Sequence, residues 1–155
     1  MQHNFEKEME KWDELKRDSR AFSKWLTKNK WKDVNKNLSR GMFKRVFLKA
    51  NVILKFDDYI DGRSHTLSEH LSLIRSGKNR RRCICPSYKY YKGLLFQAAL
   101  DNVCDDMTAV PRKIHLLAKK FRFSHYWNYG FLNGQVKFFD TDGLYYQLTD
   151  KEEMP

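Results

Sequence analysis

From Phe5 to Leu26 the apolar side chains return every three or four positions: Phe5, Met9, Trp12, Leu15, Phe22, Trp25 and Leu26, with Ser19 on the same stripe. That spacing predicts one long amphipathic helix whose other face carries Glu6, Lys7, Glu8, Glu10, Lys11, Asp13 and Glu14. The pattern then changes. "RVFLKANVILKF", residues 45 to 56, holds two apolar runs around Ala50-Asn51 and predicts a tight hairpin. After a polar loop at 58 to 65, "TLSEHLSLIRSG" (66 to 77) predicts a short helix with Leu67, Leu71 and Ile74 on one stripe and Gly77 as its stop. A strand is expected near 83 to 91, with Pro86 marking an edge or a bulge, then a turn at Lys92-Gly93 and a second strand from Leu94. One helix is expected from Gln97 to about Asp105. Another is expected with Pro111 at its first position, running through Ile114, Leu117 and Ala118 to a cationic end at Lys119, Lys120 and Arg122. "WNYGFLNGQVKFFDTDG" (127 to 143) closes the series as a hairpin turning at Asn133-Gly134, and the KEEMP tail is polar. The expected class is α+β.

Composition narrows the partners more than the fold. Hydrophobic residues are 41% and aromatics 15% of 155 residues, enough for one domain with an aromatic-rich core rather than a disordered chain. The formal charge of +11 favours anionic partners: nucleic acid, nucleotide phosphates, an acidic protein or an anionic membrane. The first residues carry no apolar signal segment and no run of about 18 apolar residues occurs, so a cytoplasmic protein is expected. Cys83 and Cys85 stand two apart in the expected strand; with no second Cys or His pair nearby, buried thiols are expected over a zinc site.

Three stretches carry candidate chemistry. In "GMFKRVF" (41 to 47), Gly41 lets backbone amides approach phosphates, Phe43 covers them, and Val46 packs on a base. On the adjoining strand Lys55 reaches phosphate oxygens. Glu69, fourteen residues on, sits on the following helix where it is either solvated or paired with Lys55. Asn128 and Asp140 stand at the two ends of the last hairpin, hard oxygen donors of the kind Mg2+ takes alongside nucleotide phosphates.

In this order the stretches resemble the protein-kinase-like fold, in particular its small bacterial and phage versions and the lipopolysaccharide-core sugar kinases. The resemblance runs from about Ser39 to Gly143, with "GMFKRV" as a reduced glycine loop, "VILK" as the lysine strand, "LLFQ" leading into the hinge and "HYWNYGFLNGQVKFFDTDG" as the catalytic loop through the metal-binding Asp. It implies a minimal kinase-like α+β fold: a small antiparallel sheet, a truncated helical lobe, and an added N-terminal helix with a basic linker over 1 to 38 ahead of the kinase-like domain at 39 to 150. It implies ATP and Mg2+ as ligands, Lys55 on the α and β phosphates, Glu69 paired with it, and adenine bound by the backbone from Phe96 to Ala98. The metal would lie at Asn128 and Asp140.

Two departures limit the activity. The family's catalytic-base Asp falls at Phe123, which accepts no proton, and His125 is the remaining candidate for a catalytic group. The chain after Gly143 is too short for a helical subdomain that binds a peptide substrate. The expected function is therefore a nucleotide-binding pseudokinase acting through a protein partner, which the charge suggests is acidic. An active small kinase for a sugar or other small substrate is the alternative. A nucleic-acid-binding protein is a second alternative, in which Lys28 to Arg45 and Lys78 to Arg82 meet phosphates while Trp31, Tyr88, Tyr90 and Tyr91 stack on bases.

Overall fold

The computed structural model describes residues 4–34, 44–57, 65–104, 107–123, 126–139 and 141. All of the expected loop at 58 to 65 except His65, and half of the basic stretch at 28 to 45, fall outside them.

The apolar stripe at the N-terminus forms two helices in place of one. Helix α1 spans Glu6–Glu14 and α2 spans Ser19–Lys28. Between them Lys16 and Arg17 take positive φ, and the Asp18 carboxylate accepts hydrogen bonds from the amides of Arg20 and Ala21 at 3.0 and 3.1 Å, starting α2 afresh. The break has a packing reason. On a straight helix Trp12 and Phe22 would stand about 15 Å apart along the axis; here their ring centroids are 4.9 Å apart.

Strands β1 (Lys32–Asp33), β2 (Lys44–Lys49), β3 (Val52–Asp57), β4 (Ser87–Tyr91) and β5 (Leu94–Ala98) make an antiparallel sheet in the order β1-β2-β3-β5-β4. The expected hairpin at 45 to 56 is β2–β3, with Ala50 at φ 53 in its turn, and Lys92 and Gly93 take positive φ between β4 and β5. The strand expected from residue 83 begins only at Ser87. It is an edge strand, with a register shift between Ser87 and Lys89 just after Pro86. The helix expected from Gln97 to Asp105 is absent: Gln97 and Ala98 end β5, and the chain continues irregularly through Cys104. There the apolar content of "LLFQAAL" serves a strand covered on both sides, a pattern that periodicity does not separate from a helix.

Helix α3 (His65–Arg75) and the short α4 (Lys78–Arg81) lie between β3 and β4 in the chain. Helix α5 covers Arg112–Lys120, with Pro111 at its N-cap rather than its first position. Strands β6 (Tyr129–Leu132) and β7 (Gln135–Phe138) form the last hairpin, and Asn133 and Gly134 both take the positive φ its two-residue turn requires.

Alternation divides the sheet into two faces. Phe47, Val52, Leu54, Phe56, Leu94 and Phe96 pack with Trp12, Phe22, Leu26 and Trp31 in one core, so α1 and α2 share a hydrophobic interior with the sheet. The indole Nε1 of Trp12 donates to the Lys92 carbonyl at 2.9 Å, and the Tyr91 hydroxyl bonds Asp13, fastening α1 to the β4–β5 turn. A second core joins Ile84, Ile114, Ala118, Phe123, Tyr129 and Phe138. Isolated bridges tie Ile84 to Phe138 within this core and Asp101, just after β5, to Phe131 on β6. No helix among the described residues is long and apolar enough to cross a membrane.

Candidate functional site

The sheet face away from α1 and α2 carries the polar groups. Asp57 ends β3 on that face, fully buried, and its Oδ1 accepts the amides of His65 and Thr66 at 2.7 and 3.0 Å. The Thr66 hydroxyl lies 2.8 Å from both Asp57 Oδ2 and the Gly93 carbonyl. These contacts satisfy the first amides of α3 and fix its start against the sheet. One turn further along α3, Glu69 is thereby aimed at β3.

Lys55 and Glu69 meet as a buried ion pair. Lys55 Nζ is 3.1 Å from Glu69 Oε2 and 3.4 Å from Oε1, and the side chains are only 5% and 1% exposed. Gln97, on β5, donates from Nε2 to the same Oε2 at 2.8 Å. Two donors on one carboxylate oxygen are what keep a buried carboxylate tolerable away from water. Of the two sequence alternatives for Glu69, solvated or paired, the geometry is the paired one. Val46 stands directly opposite Lys55 in the β2–β3 register and so shares its face.

The last hairpin reaches this pair. The Phe139 ring centroid lies 5.4 Å from Lys55 Nζ, and the Phe139 amide donates to the Asn128 carbonyl at 2.9 Å. Lys55, Glu69, Phe139 and the Asn128 backbone, from three separate stretches of chain, are therefore assembled at one place. Thr141 is buried as well. Gly41, Phe43, His125 and Asp140 lie outside the described residues.

Phe96 is not brought to this site. Its ring packs on the opposite face, 4.2 Å from that of Phe5, and its backbone is paired to Leu54 on one side and Lys89 on the other. The next amides are engaged too, Ala98 with the Pro86 carbonyl and Ala99 with that of Asn51.

Phe123 belongs to the second core. Its ring stacks on Phe138 with centroids 4.5 Å apart, and the Arg80 guanidinium carbon lies 4.3 Å from its centre. Arg80 is itself buried, donating from Nε to the Phe121 carbonyl at 2.6 Å and from its guanidinium to Ser72 and Ser76. Trp31, a candidate stacking ring from the sequence, is 2% exposed and is a core residue instead. Tyr90 is also occupied, stacked on His70 at 4.6 Å.

No protein-family model matches the chain, and neither curated proteins nor solved structures give a match. The chemistry of the site thus rests on its own geometry. Among the described residues no group of three His, Cys, Asp or Glu is placed to hold a metal ion. The residues sequence reasoning missed are Gln97, Asp57 and Thr66. Gln97 had a legible signal, as the single polar residue in the otherwise apolar "LLFQAAL".

Proposed function

We propose that this protein binds a nucleotide through a kinase-like site centred on Lys55 and works as a pseudokinase, presenting a ligand-dependent surface to a protein partner. The observation that carries this reading is the buried Lys55–Glu69 ion pair between a central strand and the helix after it. An ion pair of this kind holds a lysine at nucleotide phosphates in protein kinases. Its burial favours a functional over a structural reason: a buried pair is no more stabilising than apolar residues of the same volume, so stability alone gives little cause for one. The approach of Phe139 to Lys55 supports the same reading, since it places the Asn128 end of the hairpin beside the lysine.

Lys55 would neutralise phosphate charge, Glu69 and Gln97 would fix its direction, and Val46 would offer an apolar contact to the base. Asn128 with Asp140 would hold Mg2+, which supplies further neutralisation of the phosphates when bound. The packing of Phe123 against Arg80 and Phe138 supports the pseudokinase form, because the position where the resemblance puts the general base is filled with core side chain. A missing base costs roughly 10²- to 10⁴-fold in rate while leaving binding intact.

The test is a thermal-shift and calorimetric titration with ATP and Mg2+. Native-state binding stabilises by about 2.7 kcal/mol at a ligand concentration a hundred times Kd. The Lys55→Met/Glu69→Gln variant, which removes both charges together, is expected to stay folded and lose this stabilisation. Absence of any ATP effect on the wild type, or an equal effect on the variant, overturns the reading.

A further inference from the structure

The surface made by α4, the end of α5 and β7 is assembled from stretches of chain that contain no acid. Between Glu69 and Asp101, and again between Asp106 and Asp140, the sequence has no Asp or Glu. The fold draws these two stretches together. Arg80 Nε holds the Phe121 carbonyl, so α4 sits against the last turn of α5. The Lys137 ammonium bonds the Arg82 carbonyl, and the Cys83 and Cys85 backbone pairs with Phe138, bringing β7 alongside. Arg81 is fixed by bonds from its guanidinium to the carbonyls of Leu73, Ile74 and Ser76. Burial raises the Cys83 thiol above its ordinary range, against the opposing pull of Lys137, Arg80 and Lys120, so these three cations converge on one point. Lys78, Arg81, Arg82, Lys119 and Lys120 are exposed around it.

We propose that this face, formed by Lys78, Arg81, Arg82, Lys119, Lys120 and Lys137, binds the phosphate backbone of double-stranded nucleic acid without reading its sequence. A protein partner fits it poorly, because the centres of protein interfaces are depleted in lysine and built on aromatic anchors. Here the nearby rings are turned inward: Phe123 is buried beneath Arg80, and Phe121 is half-buried with Lys120 Nζ 5.3 Å from its centroid. Among the described residues of α4, β7 and the end of α5 no ring is exposed, which disfavours single strands, held as they are by base stacking. A membrane surface fits less well again. On α5 Ile114 and Ala118 are used in the core, which leaves Leu116 as its one exposed large apolar side chain, too little for an inserting face. Cations on a firm helical platform, with no carboxylate in the described residues of α4, α5 and β7 that form it, match a regular array of phosphates.

The experiment is fluorescence anisotropy of a labelled mixed-sequence duplex of about 20 base pairs, titrated with the full chain at several salt concentrations. Six phosphate contacts predict a slope of log K against log salt of about −5, and a loss of roughly 10³-fold in affinity between about 50 and 200 mM salt. The variant Lys78→Gln/Arg82→Gln/Lys119→Gln/Lys120→Gln changes exposed residues alone and should reduce the slope to about −2. Arg20→Gln/Lys24→Gln, on α2, should leave it unchanged, and circular dichroism establishes that both variants are folded. The proposal is overturned by any of four results: no duplex binding at low salt, an unchanged slope in the fourfold variant, tighter binding to a single strand than to the duplex, or binding to phosphatidylserine vesicles without binding to duplex. Loss of ATP binding in the Lys55 variant bears on a different face and leaves this result independent.

Discussion

Lys55 and Glu69 show how far a single residue type can be read. A lysine on a strand and a glutamate fourteen positions later were legible as a possible pair, and the structure joins them at 3.1 Å. Gln97, a second donor to the carboxylate, stood out as the one polar residue in an apolar run, but its partner was not legible because nothing in a linear sequence aligns β5 with β3. The triad makes a measurable prediction. Lys55→Ala leaves a buried carboxylate with fewer partners and should cost about 3 to 5 kcal/mol in urea unfolding. Lys55→Met with Glu69→Leu should cost far less than the sum of the single changes, giving a coupling that a double-mutant cycle reads directly. His70, the next residue on α3, predicts a pH effect. Burial lowers its pKa, and its Nδ1 has no hydrogen-bond partner among the described residues. Since the folded state then takes up a proton less readily than the unfolded state, stability should be full above the unfolded value of about 6.5 and fall as pH drops below it. His70→Phe should flatten that fall in a series of melting curves between neutral and acid pH.

At the scale of elements, the sequence was most informative where local chemistry decides the outcome. The β2–β3 hairpin, the Asn133-Gly134 turn and the C-terminal hairpin follow from alternation and turn residues, and the structure contains all three. Long-range packing decided the rest. The N-terminal stripe supports one helix as well as two, and only the meeting of Trp12 with Phe22 over the sheet selects the pair. Likewise "LLFQAAL" becomes a strand because partners lie on both sides of it. Helix α3 depends on a cap from another element, Asp57, which no N-cap signal adjacent to His65 could announce. Asp57→Ala should destabilise the protein by about 2 kcal/mol or slightly more, the upper end for a lost cap because the site is buried. It should also weaken any ATP stabilisation by loosening Glu69; thermal melts with and without nucleotide test both. Gly130 marks the other close contact. A Cβ there would stand 2.7 Å from Leu100 Cβ and 3.1 Å from the Asp101 carbonyl oxygen. Gly130→Ala should therefore cost about 1 to 3 kcal/mol by chemical denaturation, as crowding forces β6 from its neighbour.

Across the whole molecule, the two sides of the sheet have separate tasks. Helices α1 and α2 fill one with aromatic core, while the other presents Lys55 and Gln97 to Glu69 on α3. The acids lie outside residues 70–100 and 107–139, and these acid-free stretches supply the second core, so the overall charge of +11 is unevenly spread. That asymmetry was visible in the sequence, but the convergence of α4, α5 and β7 was not, since it depends on the burial of Arg80 between them. The segment from Ala99 to Cys104 joins the two cores, and its backbone is not loose. Asp101 and Phe131 exchange reciprocal hydrogen bonds at 2.8 Å, and the Cys104 amide donates to Tyr129 at 2.9 Å. Amide hydrogen exchange should accordingly show Asp101, Cys104 and Phe131 protected together with the β6–β7 ladder, as one cooperative unit rather than as a fast-exchanging connector. Joined in this way, the described residues of 99–104 tie the end of β5 to β6, so a displacement of the last hairpin would be felt at the central sheet.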